Sequence, residues 1–181
     1  MNLCLGLVVL AVAWLLSGCG KNGATTAEPP PAQAETNTVP IHYYLDHAQP
    51  KLRTVKLWLG PHEIDAELAV SVTEVSTGMM FRTAMAENEG MLFLFAQPDQ
   101  RNFYMRNCVI PLSAAYIDPR GAIDQIVDLQ PGVEKPVPSR SDQIKYVLEM
   151  PQGWFARHHV TPGMVLNTSE GPLKNLRGLL P

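Results

Sequence analysis

The sequence is poor in cysteine and contains no block of like charge. Only three of its 181 residues are cysteine, and 14 Lys and Arg residues oppose 17 Asp and Glu residues, for a formal net charge of -3. A nucleic-acid-binding domain needs a concentrated basic face to neutralise phosphates. We therefore expect no nucleic-acid partner.

Several motifs that carry chemistry are missing from the sequence. It has no His-Glu-x-x-His motif, no paired-cysteine zinc spacing, no glycine-rich phosphate loop and no Gly-x-Ser-x-Gly elbow. Each of these motifs places a metal ligand, a phosphate cradle or a nucleophile in a defined geometry. The sequence thus predicts no metal and no cofactor, and no local motif points to a hydrolase or a nucleotide-binding protein.

The first residues differ from the rest of the chain. Residues 3–16 form an apolar run without a charge, followed by Ser17, Gly18 and Cys19. The run has the length of a signal-peptide core and is shorter than the roughly 20 residues that span a bilayer as a helix. Small residues before a cysteine resemble the bacterial lipobox, in which the cysteine sulfur receives a diacylglycerol. We predict a lipoprotein signal peptide over residues 1–18 and lipidation of Cys19.

This interpretation divides the chain into an anchor, a linker and one domain. Residues 19–50 are expected to form a lipid-anchored linker rich in Pro, Ala and Thr. Its residues 20–40 cannot bury enough surface to offset the entropy of ordering, whereas residues 41–49 are aromatic enough to dock on another part of the chain. Residues 51–181 are expected to form the globular domain, outside the cytoplasm. Because Gly20 rather than a retention aspartate follows Cys19, the periplasmic side of the outer membrane is favoured over the inner membrane.

Hydrophobic patterns within the domain have mostly a period of two. Alternation over residues 55–59 and 64–70 predicts an antiparallel hairpin. Thr73 is the predicted N-cap of a short helix over 74–81. Further strands are predicted at 91–95, 103–105, 112–117, 123–129, 146–150 and 164–167, and a helical turn at 154–159. The fold class is mainly β (α+β): a compact, mostly antiparallel, closed or partly open barrel-like domain with one or two short helices.

A series of sequence blocks in this domain resembles the DUF192 family. The blocks are residues 78–82 (GMMFR), 90–95 (GMLFLF), 103–107 (FYMRN), 110–112 (IPL) and 146–149 (YVLE). The resemblance covers roughly residues 51–167 and implies a compact β-rich fold with no established activity. Ser113 stands where the family usually has an acid.

Four polar residues at the ends of apolar strands form the first candidate site: Arg82, Asn107, Asp118 and Glu149. Polar groups at the mouth of a β structure can bind a ligand, here a small molecule, a glycan or a protein. A structural alternative is that they cap turns and pair with each other or the backbone. The same four residues could also form the polar site of a small enzyme.

Sulfur-containing residues form the second candidate site. Thioethers and a thiolate prefer Cu(I), although methionine is also a flexible core filler. The residues are Met79, Met80, Met85, Met91, Met105 and Cys108. Taken together, the sequence favours a non-enzymatic, membrane-anchored extracytoplasmic accessory or ligand-binding domain; a small enzyme and a periplasmic copper or thiol protein are the alternatives.

Overall fold

A computed structural model describes residues 42–169 and 171–179 of the chain. The predicted signal peptide, Cys19 and the linker up to residue 41 lie outside these residues. Within the described ranges, no helix is long and apolar enough to cross a membrane.

The domain consists of short strands, two short α-helices and a 3₁₀ helix. In chain order the elements are β1 (Thr54–Leu59), β2 (His62–Ala69), α1 (Val72–Thr77), β3 (Glu89–Asp99), β4 (Asn102–Phe103), β5 (Leu112–Ile117), β6 (Ile123–Leu129), β7 (Val137–Pro138), β8 (Ile144–Pro151), α2 (Trp154–Arg157), β9 (Leu166–Thr168), β10 (Gly171–Pro172) and the 3₁₀ helix Leu173–Leu179.

Eight of these strands form one sheet in the order β10-β9-β1-β2-β3-β8-β5-β6, and β4 pairs separately with β7. All neighbours are antiparallel except β2 and β3, which are parallel. The expected mainly β fold with short helices is confirmed. The sheet is open rather than closed, although a single bridge between Ala122 and Val165 links the turn before β6 to the start of β9.

The sheet has a hydrophobic core on each face. One core contains Leu57, Ile64, Leu148 and Leu166 and is covered by Trp154 of α2. The other core contains Phe93, Ala114 and Val147 of the sheet, under Met79 and Cys108. The strands β3, β5 and β8 are buried on both sides, because one core covers the first face of the sheet and the other core covers the second face. We call the side of Phe93, Ala114 and Val147 the second face.

Most predicted strands are found close to their predicted positions. The hairpin of β1 and β2 pairs Leu57 with Ile64, and β5 and β6 have the predicted bounds. The strand predicted at 103–105 is reduced to the two residues of β4, and β9 begins at Leu166 instead of residue 164. Alternation identifies strands that have one polar side, whereas short edge pairings depend on distant partners.

The predicted N-cap of α1 was wrong. Ser71, not Thr73, caps the helix: its hydroxyl accepts a hydrogen bond from the backbone N–H of Glu74, and the Glu74 carboxylate accepts from the N–H of Ser71. This reciprocal capping box satisfies two N–H groups that have no partner within the helix. The helix ends at Thr77 rather than 81 because Gly78 takes a φ of +48°, which favours glycine.

Residues 42–50, part of the predicted linker, lie against the domain. The buried Gln49 side chain donates hydrogen bonds from Nε2 to the carbonyl oxygens of Gly78 (2.8 Å) and Glu74 (3.3 Å). The N–H of Leu45 donates to Thr77 Oγ1 at 3.0 Å. Carbonyl groups at a helix C-terminus lack partners within the helix. This segment therefore supplies hydrogen-bond donors to the carbonyl groups at the end of α1.

The capping box yields a matched pair of variants. We expect Ser71→Ala to lower the free energy of unfolding by about 1 kcal/mol, because the backbone N–H of Glu74 loses the hydroxyl oxygen that accepts its hydrogen bond. Thr73→Ala, in the first turn of the same helix, is the control and is expected to cause no loss, since alanine favours helix interiors. Urea unfolding of both variants measures the difference. A larger loss in Thr73→Ala would restore Thr73 as the cap.

Candidate functional site

A cavity of about 270 Å³ opens on the second face of the sheet. It lies between the C-terminal end of α1, the end of β3, β4 and the centre of β8. Its walls are residues 75–80 and 100–104 together with Phe93, Phe95, Cys108 and Glu149. Apolar side chains line the cavity together with polar ones such as Thr77, Gln100 and Asn102, and ligand sites commonly combine both kinds.

Glu149 is the polar group in the deepest part of the sheet. It lies on β8 between Met91 of β3 and Ala114 of β5, and its residue surface is only 4% exposed. Its Oε2 atom has no hydrogen-bond partner among the described residues. Buried polar atoms are nearly always paired, so an unpaired carboxyl oxygen at a cavity wall is the outstanding feature of this site.

Burial keeps the Glu149 carboxyl group uncharged at neutral pH. Loss of hydration raises its pKa from 4.5 to about 8, because a low-dielectric environment disfavours the charged form. Burial, followed by the nearby Glu149, also raises the pKa of the Cys108 thiol and of the Tyr116 hydroxyl to about 12. At pH 7 these three groups are therefore all neutral, and Glu149 can donate a hydrogen bond.

Arg101 brings a positive charge to the same cavity. Its Nε donates to the carbonyl oxygen of Ile144 at 3.2 Å, Nη2 donates to the carbonyl of Gln97, and Cζ lies 3.9 Å from the centroid of the Phe95 ring. No carboxylate of the described residues forms an ion pair with it. Burial lowers its pKa while Asp99 opposes this shift, but a guanidinium remains charged at neutral pH.

Two strained residues support the wall formed by Met80. Phe81 and Asn107 have φ angles of +62° and +55°, a region that residues other than glycine seldom adopt. The N–H of Phe81 donates to the Asn107 carbonyl at 2.8 Å, and Asn107 Nδ2 lies 3.9 Å from Met80 Sδ. Asn107 is therefore placed behind the cavity wall and does not line the cavity itself.

Arg82 is engaged in a structural ion pair. Its two terminal nitrogens contact Glu67 at 2.6 and 2.8 Å, and Glu67 also accepts a hydrogen bond from the N–H of Leu52 at 2.7 Å. Burial acts to raise the pKa of Glu67, but these hydrogen bonds outweigh it and hold the pKa below its ordinary value. Bidentate pairs of this kind are geometrically specific, and this one ties β2 to the loop after α1.

Asp118 belongs to a turn. Its carboxylate accepts hydrogen bonds from the N–H groups of Arg120 (2.8 Å) and Ala122 (2.9 Å). Asp118 is also far from Glu149 along the sheet. Ala114 is the β5 neighbour of Glu149, and Asp118 follows Ala114 by four residues, or roughly 13 Å of strand. Of the four predicted polar residues, only Glu149 lines the cavity; Arg82, Asn107 and Asp118 do not.

The predicted sulfur cluster is divided by the structure. Met79, Met80 and Cys108 line the cavity, whereas Met91 and Met105 are buried in the core of the second face and Met85 packs at its edge. Cys108 is a free thiol. Among residues 42–169 and 171–179, no group of three His, Cys, Asp or Glu residues is placed to hold a metal ion.

The Ser113 side chain, at the position where the family usually has an acid, lies on the opposite face from Glu149. Its hydroxyl donates to Asp128 at 2.5 Å and accepts from the N–H of Gly153 at 2.8 Å. These contacts connect the start of β5 to β6 and to the start of α2, so the residue has a structural role here.

Sequence reasoning missed Arg101 and the neighbouring polar residues Gln100 and Asn102. They belong to a polar stretch between two apolar segments, which has no periodicity and is typical of any surface loop. That these three residues line one cavity follows only from the assembly of β3, β4 and β8.

Residues 55–168 match the model of the DUF192 family, described as an uncharacterized ACR. No curated protein matches the chain significantly. A crystal structure of a protein of unknown function from Novosphingobium aromaticivorans DSM 12444 is 34% identical, with a TM-score of 0.61, over 64% of this chain and 86% of that one.

A second crystal structure, of a proposed transcription regulator from Sinorhizobium meliloti 1021, is 30% identical with a TM-score of 0.62. The match covers 67% of this chain and 98% of that one. The family match extends over more than half of the sequence and over strands β1 to β9. The chain therefore belongs to the DUF192 family.

Proposed function

We propose that the protein is a membrane-anchored extracytoplasmic binding domain that receives a small ligand in the cavity at Glu149. The observation that carries this proposal is the unpaired Glu149 Oε2 atom at the cavity wall. A buried polar group without a partner costs about 1–3 kcal/mol. A ligand that supplies the missing partner recovers this energy, whereas an apolar residue at the same position would avoid the cost altogether.

The shape of the site favours a small molecule over a glycan or a protein. A volume of about 270 Å³ equals the room of about nine waters at roughly 30 Å³ each. Such a space encloses a compact ligand, while a protein partner would need a much larger contact surface. The apolar wall of Met79, Met80 and Phe93 provides the hydrophobic contact.

The anchor is the second part of the proposal. It rests on the apolar run of residues 3–16 and the lipobox-like residues 17–19. In this account residues 1–18 are removed, Cys19 carries the lipid, and the following segment holds the domain on the periplasmic side of the outer membrane. The binding cavity would then face ligands of the extracytoplasmic space.

A binding role is favoured over catalysis for two reasons. The candidate catalytic cluster is not assembled, since Arg82 pairs with Glu67 and Asp118 closes a turn. The only free thiol of the described residues has a pKa raised by burial to about 12, whereas a nucleophilic cysteine needs a lowered pKa.

Binding of Cu(I) is the second candidate function. It is favoured by one observation: Met79, Met80 and Cys108 line the same cavity, so soft sulfur ligands share an opening. Cu(I) would have to displace the thiol proton of Cys108, and its binding would then be strongly pH-dependent. Uptake of Cu(I) that Cys108→Ser abolishes and Glu149→Leu leaves intact would support this candidate.

Ligand binding is tested by a thermal-shift screen of the full chain in detergent. The panel contains organic acids, amides, alcohols and amines of about ten heavy atoms, together with Cu(I). We expect at least one member to stabilise the wild-type protein, by about 2.7 kcal/mol at a hundred times its Kd. Glu149→Leu is expected to be more stable without ligand, since the unpaired group is gone, and to lose the ligand-induced shift.

Glu134→Leu is the control, because Glu134 is an exposed residue paired with Arg106 outside the cavity. It should keep the full ligand response. A panel without any stabilising member, or a Glu149→Leu protein that responds as the wild type does, would contradict binding at this cavity.

The anchor is tested by labelling cells with radioactive palmitate and separating their membranes. Wild-type protein is expected to be labelled and to stay with the membranes. Cys19→Ala should be unlabelled, because the acceptor sulfur is absent. Cys4→Ala is the matched control, since Cys4 lies within the predicted signal peptide, and should behave as the wild type. Labelling of Cys19→Ala would remove the anchor from the account.

A further inference from the structure

We propose that the cavity ligand is a small organic anion whose charged group binds Arg101 and whose far end carries an uncharged hydrogen-bond acceptor for Glu149. This inference rests on the proposed binding function and adds the chemical class of the ligand. It is carried by the charge of Arg101 and by the placement of Arg101 and Glu149 in the wall of the same cavity.

The charge of the cavity favours an anion. Arg101 and Glu149 are the Arg and Glu residues of its wall, with no Lys, Asp or His among the lining residues. Arg101 has no ion pair with a carboxylate in the described part of the chain, and its Nη1 atom makes no hydrogen bond there. A partly buried guanidinium with free N–H groups is suited to bind a carboxylate.

Glu149 does not cancel this charge at neutral pH, because its carboxyl group is protonated. The ionisable groups coupled to it, Cys108 and Tyr116, are neutral as well. Lys145 lies on the same strand with its Nζ bound to the carbonyl of Ala96 at 2.6 Å, and Lys145 does not line the cavity. The exposed Asp99 is the acid near Arg101.

The spacing of Arg101 and Glu149 along β8 favours a ligand that reaches them with two different groups. The Arg101 guanidinium is hydrogen-bonded to Ile144 at the start of β8, and Glu149 follows five residues later. Five residues of strand measure roughly 16 Å at about 3.3 Å per residue. A ligand with two separate polar ends fits this separation along the strand.

The cavity wall also has an apolar part. Met80, Phe93 and Phe103 line it, and the rings of Phe93 and Phe103 meet edge to face at 5.0 Å. A chain of about seven carbons fits a space with the room of about nine waters. The far end meets a protonated carboxyl, which donates a hydrogen bond to a ketone, ester or amide oxygen.

Four probes separate these features: 6-oxoheptanoate, heptanoate, 2-heptanone and heptylammonium. Titration calorimetry with the full chain at pH 7 is expected to give the tightest binding for 6-oxoheptanoate, because only this probe has both ends. Heptylammonium should bind most weakly. Arg101→Gln should abolish the advantage of 6-oxoheptanoate over 2-heptanone, whereas Arg140→Gln, at an exposed arginine paired with Asp124, should leave it unchanged.

The pH dependence gives an independent test that does not require Arg101 to be replaced. With a Glu149 pKa of about 8, the donating form falls from most of the protein at pH 7 to a minority at pH 9. The Kd of 6-oxoheptanoate should rise about tenfold over this range. In Glu149→Gln the amide keeps an N–H donor at both pH values, so this rise should disappear.

The possible failures are distinct. If heptylammonium or 2-heptanone binds more tightly than 6-oxoheptanoate, the inference is overturned and the binding function stands. An affinity for 6-oxoheptanoate that increases from pH 7 to pH 9 has the same consequence. The same holds if a member of the earlier panel binds and none of these four does. If neither set of compounds binds, both proposals fail.

Discussion

The burial of one carboxyl group constrains the whole site. Glu149 lies in the middle of the sheet with β3 on one side and β5 on the other, and its Oε2 atom has no partner. Because a charge at this depth would be far more costly than a neutral acid, the group stays protonated. Glu149 lines the cavity, so a ligand bound there can supply a partner for this atom.

The constraint also determines how stability depends on pH. The folded state holds the Glu149 proton up to a pKa of about 8, whereas the unfolded state releases it near 4.5. The contribution of Glu149 to the free energy of unfolding is therefore fully present below pH 4.5. It decreases as the pH rises toward 8, by up to about 1.4 kcal/mol per pH unit. Glu67 acts in the opposite direction, since its pKa is lowered in the folded state. Its contribution is lost in acid.

The surrounding structure holds the cavity open. The end of α1 turns at Gly78, where a Cβ atom would lie 3.2 Å from the Phe93 ring, and Gln49 binds the carbonyl groups there. Strain at Phe81 and Asn107 is supported by their mutual hydrogen bond. Strained residues persist where the neighbouring structure holds their backbone in place. Here Phe81 and Asn107 support the part of the cavity wall that Met80 forms.

Local pattern explains what the sequence could predict. The hairpin of β1 and β2 and the strands β5 and β6 follow from alternation. Glu149 was predicted only as one of four polar residues at the ends of apolar strands. Thr73 was predicted as the cap because threonine is a favoured N-cap residue, and only the hydrogen bonds of the structure identify Ser71 instead. The pairing of Arg82 with Glu67 and the position of Arg101 depend on contacts between residues that are distant in the sequence. The periodicity of hydrophobic residues within one segment does not predict such contacts. The signal peptide and the lipid on Cys19 stay predictions.

The most direct measurement of the central claim is the titration of the Glu149 carboxyl carbon by NMR. The protein is labelled with ¹³C-glutamate, and Glu149→Gln identifies the signal by its absence. The account predicts a protonated carboxyl at pH 7 and a midpoint of about 8. A midpoint near 4.5, the ordinary value for glutamate, would mean that the group is hydrated or paired, and would contradict the account.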